Sequence, residues 1–204
     1  TSAPAAHLSV LCNQMVNFLG IMQNEWAGAQ AFSSFDTYLA PFVKVDGLAY
    51  PEVKKCIESF IYGVNTPSRW GTQAPFSNIT LDWTVPDDLA ELPAIVGGRE
   101  MDFKYKDCKK EMDMVNKAFI ETMIDGDANG RGFQYPIPTY SITRDFDWSD
   151  NENNRLLFEM TAKYGTPYFS NYINSDMEPG DVRSMCCRLR LDLRELRKKT
   201  GGFF

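Results

Sequence analysis

The stretch that decides the fold lies near the C-terminus, where GTPYFSNY spans residues 165–172 and RSMCCRLRLD spans residues 183–192. The glycine and proline at its start end a preceding helix, and the aromatic residues that follow predict a strand over 168–173. Turn-forming residues over 175–180 separate this strand from two adjacent cysteines. A helix, a strand and a cysteine-bearing loop in this order indicate one unit of an α/β fold.

The cysteine pair, Cys186 and Cys187, admits two interpretations from its residues alone. Adjacent cysteines rarely bond to each other, because their Cα atoms lie too close for relaxed disulfide geometry. Both could be small buried hydrophobic residues, which is the common state of unpaired cysteine, or one could be a reactive thiol. Neighbouring side chains of an extended chain point to opposite faces, so only one of the two would face a reactive site.

Several long runs resemble one enzyme family. PYFSNY (167–172), RSMCCRL (183–189) and LDLREL (191–196) resemble the catalytic subunit of anaerobic, class III ribonucleoside-triphosphate reductases. The runs at 17–42, 72–83 and 133–142 resemble the same family in the same order, so the resemblance extends from about residue 17 to residue 202. It implies a glycyl radical enzyme built on a ten-stranded α/β barrel with a finger loop. Residues 1–204 would then form one partial catalytic barrel domain.

The resemblance also implies the site residues. In the context Met-x-Cys-Arg, Cys187 would be the finger-loop cysteine that carries a thiyl radical and takes the 3′-hydrogen of a ribonucleotide. Cys186 would be a second thiol or a packing residue. Met185 would lie against the substrate, as would Ser77 and Asn78, which belong to a strand that lines the barrel in this family.

No cofactor or metal is expected within this chain. The resemblance places the glycyl radical and a zinc site in a further C-terminal segment, and an iron–sulfur S-adenosylmethionine activating enzyme installs the radical. The implied partners are complementary segments of the reductase, that activating enzyme, a ribonucleoside triphosphate substrate and a deoxynucleoside triphosphate effector. The complete subunit would be a homodimer, with the effector near residues 23–42 at the dimer face.

Two other functions stay open. A pyruvate formate-lyase-like glycyl radical enzyme would also carry adjacent cysteines on a finger loop, although the runs at 17–42 and 66–82 favour the reductase. A non-catalytic half-barrel could instead serve as a scaffold or regulatory subunit. A split gene, a self-splicing insertion before Thr1 and Ser2, or a truncation would each account for a partial barrel.

Composition excludes several function classes. The 204 residues carry 21 basic and 27 acidic side chains, for a net charge of −6, so no basic field for nucleic acid is expected. No apolar run is long enough for a membrane span, and without a basic stretch followed by an apolar run at its start, no secretory signal is expected. Five cysteines without framework spacing favour a reducing, cytoplasmic location. The single histidine, His7, argues against histidine metal sites and is expected at the surface.

The remaining pattern predicts further elements. Apolar spacing predicts helices over 7–22, 51–64 and 103–124. Residues 85–98 are expected to form a loop. The small residues of 23–32 are expected to form a close helix–helix contact, called a helix–helix seam below. Ser149 or Asp150 is expected to cap a helix that ends at Gly165. The run Asp125–Gly130 begins like a calcium-binding loop, but Pro136 stands where the bidentate glutamate belongs, so a turn is expected instead.

Overall fold

The computed structural model describes residues 3–26, 28–67 and 74–175, the backbone of 182–184 and 190–192, and residues 198–199. The helices are α1 (Leu8–Glu25), α2 (Phe35–Asp46), α3 (Tyr50–Asn65), α4 (Asp87–Ala90), α5 (Lys109–Asp125) and α6 (Glu152–Tyr164), and a 3₁₀ helix spans Tyr105–Cys108. The strands are β1 (Gln30–Phe32), β2 (Ser77–Leu81), β3 (Pro93–Val96), β4 (Arg99–Lys104), β5 (Ile137–Ile142), β6 (Tyr168–Asn171), β7 (Val182–Ser184) and β8 (Arg190–Asp192).

A four-stranded parallel sheet organises the fold. Its strand order is β1-β2-β5-β6, and every neighbouring pair is parallel. Parallel neighbours need crossover connections, and helices α2, α3, α5 and α6 lie within these connections. Strands β3 and β4 form an antiparallel hairpin, and β7 pairs antiparallel with β8. The predicted α/β class with a parallel sheet is therefore confirmed.

One hydrophobic core joins the helices to one face of the sheet. Helix α1 contributes a buried stripe at three- and four-residue spacing, as its sequence predicts: Leu8, Cys12, Met15 and Leu19. Helix α5 packs against α2, α3 and α6. From the sheet, Ile79 and Leu81 of β2 and Tyr140 of β5 point into this core. Within the described ranges, no helix is long and apolar enough to cross a bilayer.

The predicted helices over 7–22 and 51–64 are confirmed as α1 and α3, and Pro51 occupies the first turn of α3. The helix predicted over 103–124 begins later. Residues 103 and 104 end strand β4, and the 3₁₀ helix precedes α5. The residues of β4 are exposed or half-buried, so buried and exposed side chains do not alternate along this strand. The strand therefore lacks the fully buried face whose two-residue period indicates a strand in a sequence.

Three other local predictions are wrong. Residues 85–98 are not a simple loop, because they contain α4 and β3. The small-residue stretch 23–32 is not a helix–helix seam, since its end forms β1 beside β2. The cap of α6 is Asn151, whose side chain accepts a hydrogen bond from the Asn154 backbone N–H at 2.8 Å. The predicted C-terminal glycine of α6 is confirmed, with Gly165 at a φ of 65°.

Candidate functional site

One face of the parallel sheet is lined with small polar side chains. Side chains alternate along each strand, and paired residues of parallel strands share a face. The pairing of Thr80 with Thr139 and of Ser141 with Ser170 therefore places these residues together. The resulting row, called the polar face below, consists of Asn78, Thr80, Thr139, Ser141 and Ser170, and the same register places Ile137 and Tyr168 beside it. The opposite face carries the apolar side chains of the core.

Asn78 is the residue of the polar face with the most unused hydrogen-bonding capacity. Its side chain is 1% exposed. The Asn78 Nδ2 atom donates to Thr139 Oγ1 across 3.5 Å, which is a long contact. The Asn78 Oδ1 atom is buried and has no hydrogen-bond partner among the described residues. A buried amide oxygen without a partner is costly, so this position is suited to accept a hydrogen bond from a ligand hydroxyl.

Ser77 lies on the other face from Asn78. It pairs with Gln30 of β1, and alternation places it with Ile79 and Leu81 on the core side. The Ser77 hydroxyl is buried, and it too has no hydrogen-bond partner within the described ranges. The two residues predicted together as substrate contacts are therefore separated by the sheet, and the geometry favours Asn78 for that role.

The predicted finger-loop residues Met185, Cys186 and Cys187 lie outside the described residues. The strands that precede and follow them in the sequence are described. Val182 of β7 pairs with Asp192 of β8, and Ser184 pairs with Arg190. The catalytic assignment of Cys187 stays a prediction.

Three other cysteines are poor candidates for reactive thiols. Burial raises the pKa of the Cys12 thiol far above its ordinary value, and it raises the pKa of Cys108 to about 11. Burial also raises the pKa of Cys56, which packs beside the core. Since the thiolate is the reactive form, these raised pKa values disfavour a reactive role for the three thiols. Cys108 is buried and directly precedes α5.

The described residues contain no group of three or more histidine, cysteine or acidic side chains able to hold a metal ion. The calcium-like loop is a tight turn, in which Asp127 Oδ1 accepts hydrogen bonds from the backbone N–H groups of Asn129 and Arg131. These bonds lower the pKa of Asp127. His7 is exposed, as predicted, and its Nδ1 lies 2.9 Å from the Asp46 carboxylate.

A buried pair of carboxyl groups lies where β1 and β2 end, and sequence analysis did not predict it. Asp36, in the first turn of α2, is fully buried. It accepts hydrogen bonds from four N–H groups: the backbone N–H groups of Thr37 (3.0 Å), Asp82 (2.8 Å) and Trp83 (2.9 Å), and Asn116 Nδ2 (2.9 Å). The sequence signal is an acidic residue between apolar residues that the pattern buries.

Asp82, the second member of the carboxyl pair, directly follows β2 and is 4% exposed. Its Oδ2 accepts a hydrogen bond from Thr37 Oγ1 at 2.6 Å, and the Ser34 side chain is a second hydrogen-bond partner. Burial, followed by the charge of Asp36, raises the pKa of Asp82 to about 7. Burial also raises the pKa of Asp36, while its four N–H donors oppose that shift.

Comparisons with known proteins agree on one family. The family model described as anaerobic ribonucleoside-triphosphate reductase matches the chain over residues 1–204. No match was found among curated proteins. The solved structure of the Thermotoga maritima anaerobic ribonucleotide reductase with citrate in the active site is similar over 91% of this chain, with 18% identity and a TM-score of 0.63. The structure of the Thermotoga maritima reductase in complex with dATP and CTP is similar over 87%, with 21% identity and a TM-score of 0.58.

A third solved structure, described as an anaerobic ribonucleotide reductase, is similar over 87% of this chain, with 22% identity and a TM-score of 0.60. At these identities the likeness to the solved structures shows the fold alone. The matched regions cover 34%, 30% and 29% of the three solved chains. The chain therefore spans about a third of the length of the solved reductases that it matches.

Proposed function

Because the chain belongs to the anaerobic ribonucleoside-triphosphate reductase family, we propose that it forms part of the catalytic barrel of an enzyme that reduces ribonucleoside triphosphates to deoxyribonucleoside triphosphates. The observation that carries the proposal is the polar face on a parallel sheet whose other face is packed against helices. A ten-stranded barrel would turn this polar face inward, where a ribose could meet it. Residues 1–204 would form one partial domain of that barrel.

Asn78 and its neighbours would bind the ribose. An amide side chain both donates and accepts hydrogen bonds, which suits a sugar hydroxyl. The unused Oδ1 of Asn78 would accept a hydrogen bond from such a hydroxyl, and the Thr139 hydroxyl lies beside it. Met185 would contribute apolar contact at the substrate. Ser77 would pack on the core side of β2 and would not contact the substrate.

Cys187 would carry the radical chemistry. Its sulfur, as a thiyl radical, takes the hydrogen atom from C3′ of the ribose, and the 2′-hydroxyl then leaves as water after protonation. The reductant supplies two electrons: formate leaves as carbon dioxide, or two thiols become a disulfide. Cys187 returns the hydrogen atom to C3′, so the thiyl radical is restored at the end of each turnover. A glycyl radical on a further segment would supply the oxidising equivalent for Cys187.

A zinc site and the glycyl radical would belong to a further segment of the enzyme. The partners proposed for the complete enzyme are complementary segments, an iron–sulfur S-adenosylmethionine activating enzyme, and a second subunit in a homodimer. A deoxynucleoside triphosphate effector would bind near residues 23–42. The proposed location is the cytoplasm. A pyruvate formate-lyase-like activity is disfavoured by the family match, and a scaffold role would show itself as a lack of turnover.

The proposal is tested by anaerobic purification, identification of every co-purifying polypeptide, and an assay for deoxynucleotide formation. We expect a polypeptide that bears a glycyl radical to accompany the chain, and we expect the assembly to reduce ribonucleoside triphosphates. An assembly that carries the radical but forms no deoxynucleotide would contradict the catalytic role and favour a scaffold.

Replacing Asn78 with alanine is expected to raise KM for the ribonucleotide about threefold to tenfold, since one hydrogen bond contributes about 0.5–1.5 kcal/mol. The matched control is Ser77→Ala on the adjacent position, which faces the core and should leave KM unchanged. Steady-state kinetics of the two variants in the radical-bearing assembly provide the measurement. If Ser77→Ala raised KM and Asn78→Ala did not, the assignment of the two faces would be wrong.

A further inference from the structure

Strained backbone is concentrated around the carboxyl pair of Asp36 and Asp82. Among the described residues, only Ser34 and Trp83 combine a positive φ with a side chain, at 52° and 64°. Ser34 precedes α2 and hydrogen-bonds Asp82 through its side chain. Trp83 donates its backbone N–H to Asp36. Non-glycine residues adopt this region at an energetic cost and persist there only where surrounding contacts hold them.

The hydrogen bonds assign different roles to the two carboxyl groups. Asp36 receives four N–H donors, the arrangement that stabilises an ionised carboxylate. Asp82 is instead hydrogen-bonded by the hydroxyl groups of Thr37, in the first turn of α2, and of Ser34, which precedes α2. Hydroxyl groups can also accept, so they tolerate a protonated carboxyl group. Two buried carboxylates this close would repel each other if both were charged.

The surroundings provide no cation that contacts either carboxyl group within the described ranges. From α5, Lys109 Nζ donates to the Trp83 carbonyl oxygen at 3.0 Å and pairs with Asp113. From β5, the Tyr140 hydroxyl is fully buried near Asp36. From α4, the charge of Asp88 acts on Asp82 and, like that of Asp36, favours its protonation.

We propose that Asp36 and Asp82 are a proton-linked positioning pair that holds a single negative charge. The charge resides on Asp36, while protonated Asp82 completes the contact to the start of α2. Together they fix the two strained turns at the carboxyl ends of β1 and β2, where parallel sheets form their ligand sites. This inference goes beyond the proposed reductase activity and does not depend on it.

The pair predicts a specific dependence of stability on pH. Asp82 has an ordinary pKa of 3.8, and its folded-state pKa is about 7. Between these values the folded protein binds more protons than the unfolded chain, so stability falls as pH rises through this window. Stability from this group is fully present below about pH 4 and is lost above pH 7.

The test measures the urea midpoint of unfolding from pH 4 to pH 8 for the parent protein, Asp82→Asn and the control Asp87→Asn. Asp87 is an exposed acid on α4. We expect the midpoint of the parent and of Asp87→Asn to fall as pH rises, and the midpoint of Asp82→Asn to lose most of that slope. Parallel curves for all three proteins would overturn the proposal, because a purely structural aspartate would shift the midpoint equally at every pH.

Thr37→Val gives a second, independent readout. It removes the hydroxyl that stabilises ionised Asp82 and keeps the side-chain shape. The fall in the urea midpoint should therefore move to higher pH. The emission of Trp83 is the difference between the fluorescence spectra of the parent protein and of Trp83→Phe. The wavelength of this emission should shift within the same pH window in the parent protein, and it should not shift in Asp82→Asn. A Trp83 signal that is independent of pH in the parent protein would overturn the positioning role.

Discussion

Cys187→Ala is expected to abolish deoxynucleotide formation, with a loss of at least about 10³-fold in kcat, because alanine lacks the S–H group that would exchange a hydrogen atom with C3′ of the ribose. The loss should appear in kcat while substrate affinity stays near that of the parent, since the role proposed for the thiol lies in the chemical step. The measurement is product formation under anaerobic conditions, combined with the equilibrium binding of a ribonucleoside triphosphate.

The matched control for this variant is Cys186→Ala at the adjacent position. An extended chain would place adjacent side chains on opposite faces, so we expect only one of the two cysteines to reach the ribose. Cys186→Ala should retain turnover within a few-fold. The glycyl radical signal in electron paramagnetic resonance should persist in both variants, which shows that activation took place. Loss of turnover in Cys186→Ala with retention in Cys187→Ala would reverse the assignment.

The sequence predicted a helix or strand correctly where the apolar residues that recur at regular spacing are also the residues that the fold buries. Helix α3 shows this best, since Val53, Ile57, Phe60 and Val64 recur on one face and all are fully buried. Strand β4 shows the opposite case, because its side chains are mostly exposed and carry no apolar alternation. The hairpin it forms with β3 did have a signal in the adjacent glycines Gly97 and Gly98, a pair typical of hairpin turns.

The candidate site was predictable only in part. The polar composition of β2 indicated a site, but the separation of Ser77 from Asn78 requires the register of the sheet. The carboxyl pair was missed for a different reason. Its two members lie far apart in the sequence and meet only because α2 and β2 pack together, and no local pattern specifies such contacts.

Phe60→Ala is expected to give the largest loss of stability among the variants considered, about 3–5 kcal/mol of unfolding free energy. Phe60 is fully buried in α3, and its ring centroid lies 5.2 Å from that of Phe35 in α2. Removal of the ring forfeits its hydrophobic transfer energy and leaves a cavity beside Phe35 in a close-packed core. Urea unfolding, followed by circular dichroism, measures the loss.

The control Phe158→Ala makes the same chemical change on α6, where the side chain is 52% exposed. Its effect should stay within about 0.5 kcal/mol, as is usual for surface positions. If Phe60→Ala does not accumulate as a folded protein, Phe60→Leu retains most of the volume and should cost less than the alanine variant. Equal losses for Phe60→Ala and Phe158→Ala would contradict the burial of Phe60 in the core, because the two variants make the same chemical change at a buried and at an exposed position.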